Sequence, residues 1–274
     1  MFDYSVYLRN EKLPHIWCAG CGHGIVLKSL IRAIAKTGWD KNDIVLVSGI
    51  GCASRLPGYV DFNTLHTAHG RAIAFATGVK LAKPSFHVIV VAGDGDALAI
   101  GGNHLIHACR RNIDITLIVF NNGIYGMTGG QYSPTTPLGD KAATAPYGHI
   151  EPLFDVAELA KGCGATFVAR GTSYHVPQLD EYIYKALIHK GFSVVDVIEA
   201  CWTTHGRKQK EKYKDNLEML KWQRDNAVPF AKAQTMSAEE LKGKFITGIL
   251  HQAERPEYVE QYQRLVADVK GGNP

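Results

Sequence analysis

The sequence has no long hydrophobic run. Its longest apolar stretches, 86–92 and 113–120, are too short to cross a bilayer. Residues 1–14 are polar and hold no apolar segment of the kind a secretory leader needs, so the expectation is a soluble, cytoplasmic chain without membrane association. There is no internal repeat. Charge is not lopsided either: 30 Lys and Arg face 26 Asp and Glu, a formal net charge of +4. That balance permits an acidic partner but does not single out nucleic acid. The basic run Arg207, Lys208, Lys210, Lys212 and Lys214 has no nucleic-acid-binding signature beside it, so nucleic acid is not expected as a partner. The run reads first as solvated surface and second as a docking patch for an acidic protein. Also missing is a G-x-G-x-x-G opening a helix. The nearest approach, Gly49-Ile50-Gly51, has Ser54 where the third glycine belongs, which disfavours a nicotinamide-binding dehydrogenase.

What is present is ample for a folded core: 274 residues, 46% hydrophobic, with 20% charged residues well mixed. The character changes after Cys201. Two segments are expected, a main domain over 1–204 and a charged, lysine-rich extension over 205–274 that packs on it and on a partner.

Strand and helix signals alternate. Residues 44–49, 86–92, 113–120, 165–169 and 193–198 read as strands. Residues 67–82, 96–111, 154–162 and 176–190 read as helices, and Ser237-Ala238-Glu239-Glu240 as a capping box opening a short helix. Near-continuous apolar strands joined by helices predict an α/β fold, a parallel sheet with helices on both faces. Ligands of such sheets sit at the carboxyl ends of the strands. Gly49-Ile50-Gly51-Cys52, Gly93-Asp94-Gly95-Asp96, Asn121-Asn122 and Cys201 all fall there, and a long turn-rich stretch follows from Gly123 to about Pro152.

Asp94 can supply a carboxylate oxygen, Asn122 an amide oxygen and Ile124 a backbone carbonyl to a magnesium ion, which prefers near-octahedral oxygen ligands and often bridges phosphates. Gly93 and Gly95 let the backbone approach a diphosphate, and the start of the next helix offers free N–H groups. Taken singly, G-D-G and N-N are ordinary turns. Together, separated by one helix and one strand, they match the thiamine-diphosphate-binding signature.

Six cysteines occur. Disulfides are a poor first expectation for an intracellular chain. Cys18-Ala19-Gly20-Cys21 alone is compatible with zinc, a cluster, a redox pair or nothing. Haem attachment is excluded because Gly22 stands where that motif needs His. With Cys52 and Cys201 the count suits zinc or [4Fe-4S] equally. The shared location with the diphosphate residues favours an electron acceptor, since a structural zinc has no reason to sit at the ligand edge. Cys109 and Cys163 read as small hydrophobes. His104 and His107 read as helical histidines without a metal.

These residues together resemble the β subunit of the 2-oxoacid:ferredoxin oxidoreductases. The likeness runs through Ile16 to Gly22, Gly49 to Arg55, His69-Gly70-Arg71-Ala72, Gly93 to Asp96, Asn121-Asn122, Tyr125 to Gln131, Gly248 to His251 and Glu254 to Tyr258. It implies a thiamine-diphosphate-binding fold and a [4Fe-4S] cluster on Cys18, Cys21, Cys52 and Cys201. It implies magnesium on Asp94, Asn122 and the Ile124 carbonyl. Thiamine diphosphate would touch Ile50, Gly51, Cys52, Ala53, His69, Gly93, Gly95, Asp96, Gly126 and Met127. One departure is Gly129, where many members carry Lys.

The resemblance further implies oxidative decarboxylation of a 2-oxoacid, with coenzyme A taking the acyl group and ferredoxin the electrons. The reverse reaction, reductive carboxylation, is also open. An α subunit carrying the pyrimidine-binding domain is implied, in an (αβ)2 complex. Arg55, three positions after Cys52, is the candidate partner for the distal carboxylate of 2-oxoglutarate, with His69 the second catalytic candidate. Arg55 can alternatively hold a phosphate or a neighbouring acid. The alternatives are a pyruvate or branched-chain 2-oxoacid enzyme, a non-redox thiamine lyase and a zinc-stabilised binding module.

Overall fold

The computed structural model describes residues 2–271. Residues 1 and 272–274, the outermost positions of the two expected segments, lie outside the described residues. In chain order the elements are α1 (His23–Thr37), β1 (Ile44–Ser48), β2 (Asn63–His66), α2 (Ala72–Ala82), β3 (His87–Gly93), α3 (Gly102–Arg111), β4 (Ile115–Asn121), α4 (Val156–Gly162), β5 (Phe167–Thr172), α5 (Val176–Ile188) and β6 (Phe192–Ile198). The C-terminal part adds α6 (Asn216–Asn226), β7 (Ala227–Pro229), α7 (Phe230–Ala233), α8 (Ala238–Leu241), β8 (Phe245–Gln252) and α9 (Tyr258–Lys270).

The central strands are β-branched runs buried on both faces, which is what a covered parallel sheet demands. The sheet has eight strands in the order β2-β1-β3-β4-β6-β5-β8-β7. Every pairing is parallel except β5 with β8. Alternate side chains feed two cores. Leu46, Ile89, Ile118, Phe120, Val195 and Val197 pack with α1 and α5 on one face. Val47, Val90, Leu117, Val119 and Val194 pack with α2, α3 and α4 on the other. The expected α/β sheet with helices on both faces is the fold observed. Among the described residues no helix is long and apolar enough to cross a membrane.

Two helices start later than the pattern predicts, and the reasons lie at the site. The helix expected from residue 67 begins at Ala72. Residues 67–71 form a turn instead, because Gly70 takes φ +69° and gives its N–H to the Asp96 carboxylate at 2.7 Å. The helix expected over 96–111 is split into a π-helical turn, Gly95–Ile100, and α3. At the break Gly101 lies so close to the Asp96 and Ala97 carbonyls that a side chain there has no room. Such π turns favour functional positions. The predicted capping box at Ser237 is present, with Glu240 reciprocating. α1, β2 and the late strands β7 and β8 lie outside the expected elements. Of these β8 matters most, since it brings the chain after residue 205 into the same sheet beside β5.

Candidate functional site

Four strand ends meet at one edge. After β3, Asp94 turns inward and is almost fully buried. Its Oδ2 accepts from Gly123 N (2.7 Å), Ser133 Oγ (3.0 Å) and Thr135 Oγ1 (2.6 Å). Among the described residues its Oδ1 accepts only from the adjacent Gly95 N–H, at 2.7 Å, and keeps lone-pair capacity. Burial pushes the Asp94 carboxyl above its ordinary range against these hydrogen bonds. A carboxylate in so dry a place is stabilised by a cation.

The Gly123 contact brings the turn after β4 against Asp94. On that turn, Asn122 donates from Nδ2 to Glu199 Oε1 at 3.2 Å, while its Oδ1 is buried without a partner among the described residues. Among the described residues nothing donates to the Ile124 carbonyl. The site thus offers a carboxylate oxygen with capacity to spare, an orphaned amide oxygen and an unused carbonyl, a donor set that fits magnesium.

A second carboxylate organises the neighbouring loops. Asp96 Oδ1 accepts from Gly70 N and from Ile50 N (3.4 Å) and pairs with His69 Nδ1, while Oδ2 is buried without a partner. Gly49 lies directly against this carboxylate, where any side chain would collide. Tyr125 closes over Gly95 and donates from its hydroxyl to the Gly95 carbonyl at 3.1 Å.

The cysteines stand alongside. Cys18, Cys21, Cys52 and Cys201 line one cavity of about 80 Å³ together with Asn122, Gly126 and Met127. Gly126 is wedged between the two sites: a Cβ on it would lie 3.7 Å from Cys201 Sγ and 3.8 Å from Cys52 Sγ. Trp17 fixes the Cys52 turn by donating from Nε1 to its carbonyl at 2.7 Å. Burial and the neighbouring Cys201 and Cys18 sulfurs push the Cys52 thiol up to about 11. Burial, with Glu199 nearby, also pushes the Cys21 thiol strongly upward. Thiols crowded this way hold protons until a metal replaces them. Among the described residues no three His, Cys, Asp or Glu side chains close on one point tightly enough to hold a single ion. Four sulfurs around a cavity fit a polynuclear cluster better than one tetrahedral zinc, whose ligands converge at about 2.3 Å.

Cys18, Cys21, Cys52, Cys201 and Asn122 thus line one cavity, and Asp94 is tied through Gly123 N to the turn that carries Asn122 and Ile124. Arg55 lies exposed on the short helical turn after Cys52, with no acidic partner among the described residues. Cys109 and Cys163 do not line the cavity, and Cys109 is buried in the core. Sequence reasoning missed Ser133 and Thr135, which wrap Asp94. It also missed His23 and Glu199, which pair at 2.8 Å between the two sites while almost fully buried. The one available signal was the glycine directly after C-x-x-C.

Fold and site define the diphosphate-binding half of a thiamine enzyme. Residues 49–197 match the family model "Thiamine pyrophosphate enzyme, C-terminal TPP binding domain". The chain is 50% identical over 264 residues to "2-oxoglutarate synthase subunit KorB" of Methanocaldococcus jannaschii, covering 96% of this chain and 97% of that one. It is 50% identical over 270 residues to the protein of the same name from Archaeoglobus fulgidus, covering 98% and 97%. The solved "2-oxoglutarate:ferredoxin oxidoreductase from Magnetococcus marinus with 2-oxoglutarate, coenzyme A and succinyl-CoA bound" superposes with a TM-score of 0.87 at 34% identity, covering 99% of this chain and 92% of that chain. The chain belongs to the KorB-type β subunits of the 2-oxoacid:ferredoxin oxidoreductases, a family of multi-subunit oxidoreductases.

Proposed function

We infer that this chain is the thiamine-diphosphate and iron–sulfur subunit in the coenzyme A-dependent oxidative decarboxylation of 2-oxoglutarate to succinyl-CoA. The observation that carries this reading is Asn122, whose unpartnered Oδ1 belongs to the oxygen-ligand site and whose side chain also lines the cysteine cavity. Asp94, Asn122 and the Ile124 carbonyl would hold magnesium, and Cys18, Cys21, Cys52 and Cys201 a [4Fe-4S] cluster. When bound, the organic cofactor supplies the electron sink for loss of carbon dioxide and the cluster takes electrons singly.

The chain's own residues position and select. Asp96 ties the Gly49–Ile50 and His69–Gly70 loops together around the place for the diphosphate. Arg55 is free to pair with the distal carboxylate of 2-oxoglutarate, which pyruvate and branched oxoacids lack. Gly129 stands where many relatives have a lysine, so no role of a lysine at that position carries over to this chain.

Two partners follow. An α subunit would supply the pyrimidine-binding domain, and the exposed Leu138, Tyr147 and Ile150 on the turn-rich stretch give it an apolar surface to cover. Ferredoxin would dock at residues 205–214. That segment carries five cations and one acid, a net +4 equal to the charge of the whole chain. It is hooked to the cysteine site by His205 and Gly206, both donating to the Cys201 carbonyl. Concentrated basic charge beside an electron exit steers an acidic acceptor.

The test is anaerobic co-purification with an α subunit, followed by iron, sulfide and thiamine analysis and turnover with 2-oxoglutarate and pyruvate. Expected are four irons per β chain, bound thiamine and a preference for 2-oxoglutarate. Zinc without iron, or thiamine without iron, would overturn the redox reading.

A further inference from the structure

Glu199 follows β6 directly and is almost fully buried. One of its oxygens does double duty. Oε1 accepts from Asn122 Nδ2 at 3.2 Å and from His23 Nδ1 at 2.8 Å. The same His23 nitrogen lies 3.1 Å from Cys21 Sγ. A ligating Cys21 is a thiolate, so both neighbours of that nitrogen are acceptors, and it must carry the proton that they share.

The backbone enforces this meeting. Glu199 N donates to the Asn121 carbonyl at 3.0 Å, and Gly22 N donates to the Ala200 carbonyl at 3.1 Å. Residues 199–200 are thereby clamped between the N-N turn and the C-x-x-C turn. Gly22 makes the approach possible, since a Cβ there would sit 2.6 Å from Glu199 Cβ and 2.8 Å from Oε2. Oε2 is itself buried without a partner, an arrangement that costs stability and calls for a reason.

We propose that Glu199 is a positioning residue shared by the two inorganic sites: it holds the Asn122 amide with Oδ1 turned to the diphosphate metal, and it holds His23 as hydrogen-bond donor to Cys21 while placing a negative charge beside the cluster. The proposal rests on the functional reading above. The amide part follows from geometry: a carboxylate accepts only, so it fixes Nδ2 toward itself and leaves Oδ1 for the metal. The cluster part follows from electrostatics. Hydrogen bonds to sulfur and local charge set a cluster's potential, and a carboxylate in a low-dielectric site stabilises the oxidised form.

The experiment uses the anaerobically purified αβ complex with Glu199→Gln and Glu199→Ala. Glutamine keeps an oxygen for both donors, removes the charge and puts an amide NH2 in the place of Oε2. Expected for Glu199→Gln is full iron and sulfide, with a more positive cluster midpoint in an EPR-monitored redox titration. The oxidised-to-reduced ratio at fixed potential should fall about tenfold, which is about 59 mV for a one-electron couple. Expected for Glu199→Ala, which frees the Asn122 amide, is a magnesium requirement for thiamine diphosphate binding raised about tenfold in calorimetry, with saturation restored by excess magnesium.

An unchanged midpoint in Glu199→Gln would sink the cluster part, whatever happens to Glu199→Ala. Unchanged magnesium dependence in Glu199→Ala would sink the amide part. If Glu199→Ala fails to assemble, the magnesium titration of Asn122→Asp, which cannot donate to Glu199, replaces it: parental dependence there overturns the amide part, and weakened binding supports it. A parent complex without iron or thiamine would instead refute the functional reading itself.

Discussion

Replacing Gly22 by Ala isolates the tightest contact of the site. Gly22 has φ −67° and ψ −21°, ordinary helical values, so alanine meets no backbone strain there. Any cost must be steric. The added carbon would stand 2.6 Å from Glu199 Cβ, roughly 1 Å inside the usual carbon–carbon optimum of about 3.5–4.0 Å. Neither side can withdraw easily, because Gly22 N is bonded to the Ala200 carbonyl and Glu199 N to the Asn121 carbonyl. Overpacking of this kind costs about 1–3 kcal/mol.

The control is Gly78→Ala in α2, where a Cβ meets nothing within 4 Å. The same chemical change there should stabilise by about 0.5–1 kcal/mol through helix propensity. Urea unfolding followed by far-ultraviolet circular dichroism should thus move in opposite directions for the two variants. Thermal midpoints should shift by roughly 2–4 °C per kcal/mol. Gly22→Ala should also lower the iron retained per chain, since Glu199, which holds His23 beside Cys21, must yield to the new carbon. A Gly22→Ala protein within about 0.5 kcal/mol of its parent, with full iron, would refute the close approach.

Arg170→Met should cost about 3–5 kcal/mol at pH 8 by stranding Asp196, which is fully buried and receives Arg170 Nε at 2.7 Å. Burial already raises the Asp196 carboxyl and Arg170 is what opposes that rise, so the variant's folded state keeps a proton that its unfolded state releases. Its stability therefore falls as pH rises through the raised value, and the deficit against the parent should be smaller at pH 5 than at pH 8 in denaturant titrations. Arg55→Met should raise the KM for 2-oxoglutarate far more than for pyruvate in steady-state assays, and equal changes would remove the carboxylate argument. Replacing Lys208, Lys210 and Lys214 by Glu should slow reduction of ferredoxin on the order of tenfold or more at low ionic strength, with the difference vanishing at high salt. Reduction of a small uncharged dye should not change, and equal slowing of the dye would point to damage at the cluster instead.

The central strands were legible because both of their faces are buried: 44–49, 86–92, 113–120 and 193–198 lie within a residue or two of β1, β3, β4 and β6. The position of the candidate ligands was legible for a related reason, since residues that interrupt an apolar strand at its carboxyl end fall at that edge of the sheet whatever the helices do. α1 was overlooked although Val26, Leu27, Leu30, Ile31 and Ile34 recur with helical spacing and Gly38 caps it in the left-handed region. The edge strand β2 offers only Asn63, Thr64, Leu65 and His66, too polar and too short to stand out. β8 buries only Thr247 and Gly248 and ends in His251 and Gln252, so it shows neither the alternation nor the unbroken apolar run that marks the others. His23 and Glu199 lie 176 positions apart and meet only through the sheet. No spacing rule reaches that far, and burial of their charges is a property of the folded chain alone.

The stretch between β6 and β7, residues 199–226, leaves the sheet and rejoins it at the edge, with β5 and β8 intervening. It is an excursion fixed at both ends, not a loose tail. The entropy of closing such a loop grows only logarithmically, each doubling of length costing about 0.6 kcal/mol. On the proposed reading, the surface offered to an electron acceptor can therefore change in length and charge while the strand ends that would hold the inorganic groups stay where they are. Choice of redox partner and integrity of the catalytic centre become separately evolvable traits of one polypeptide.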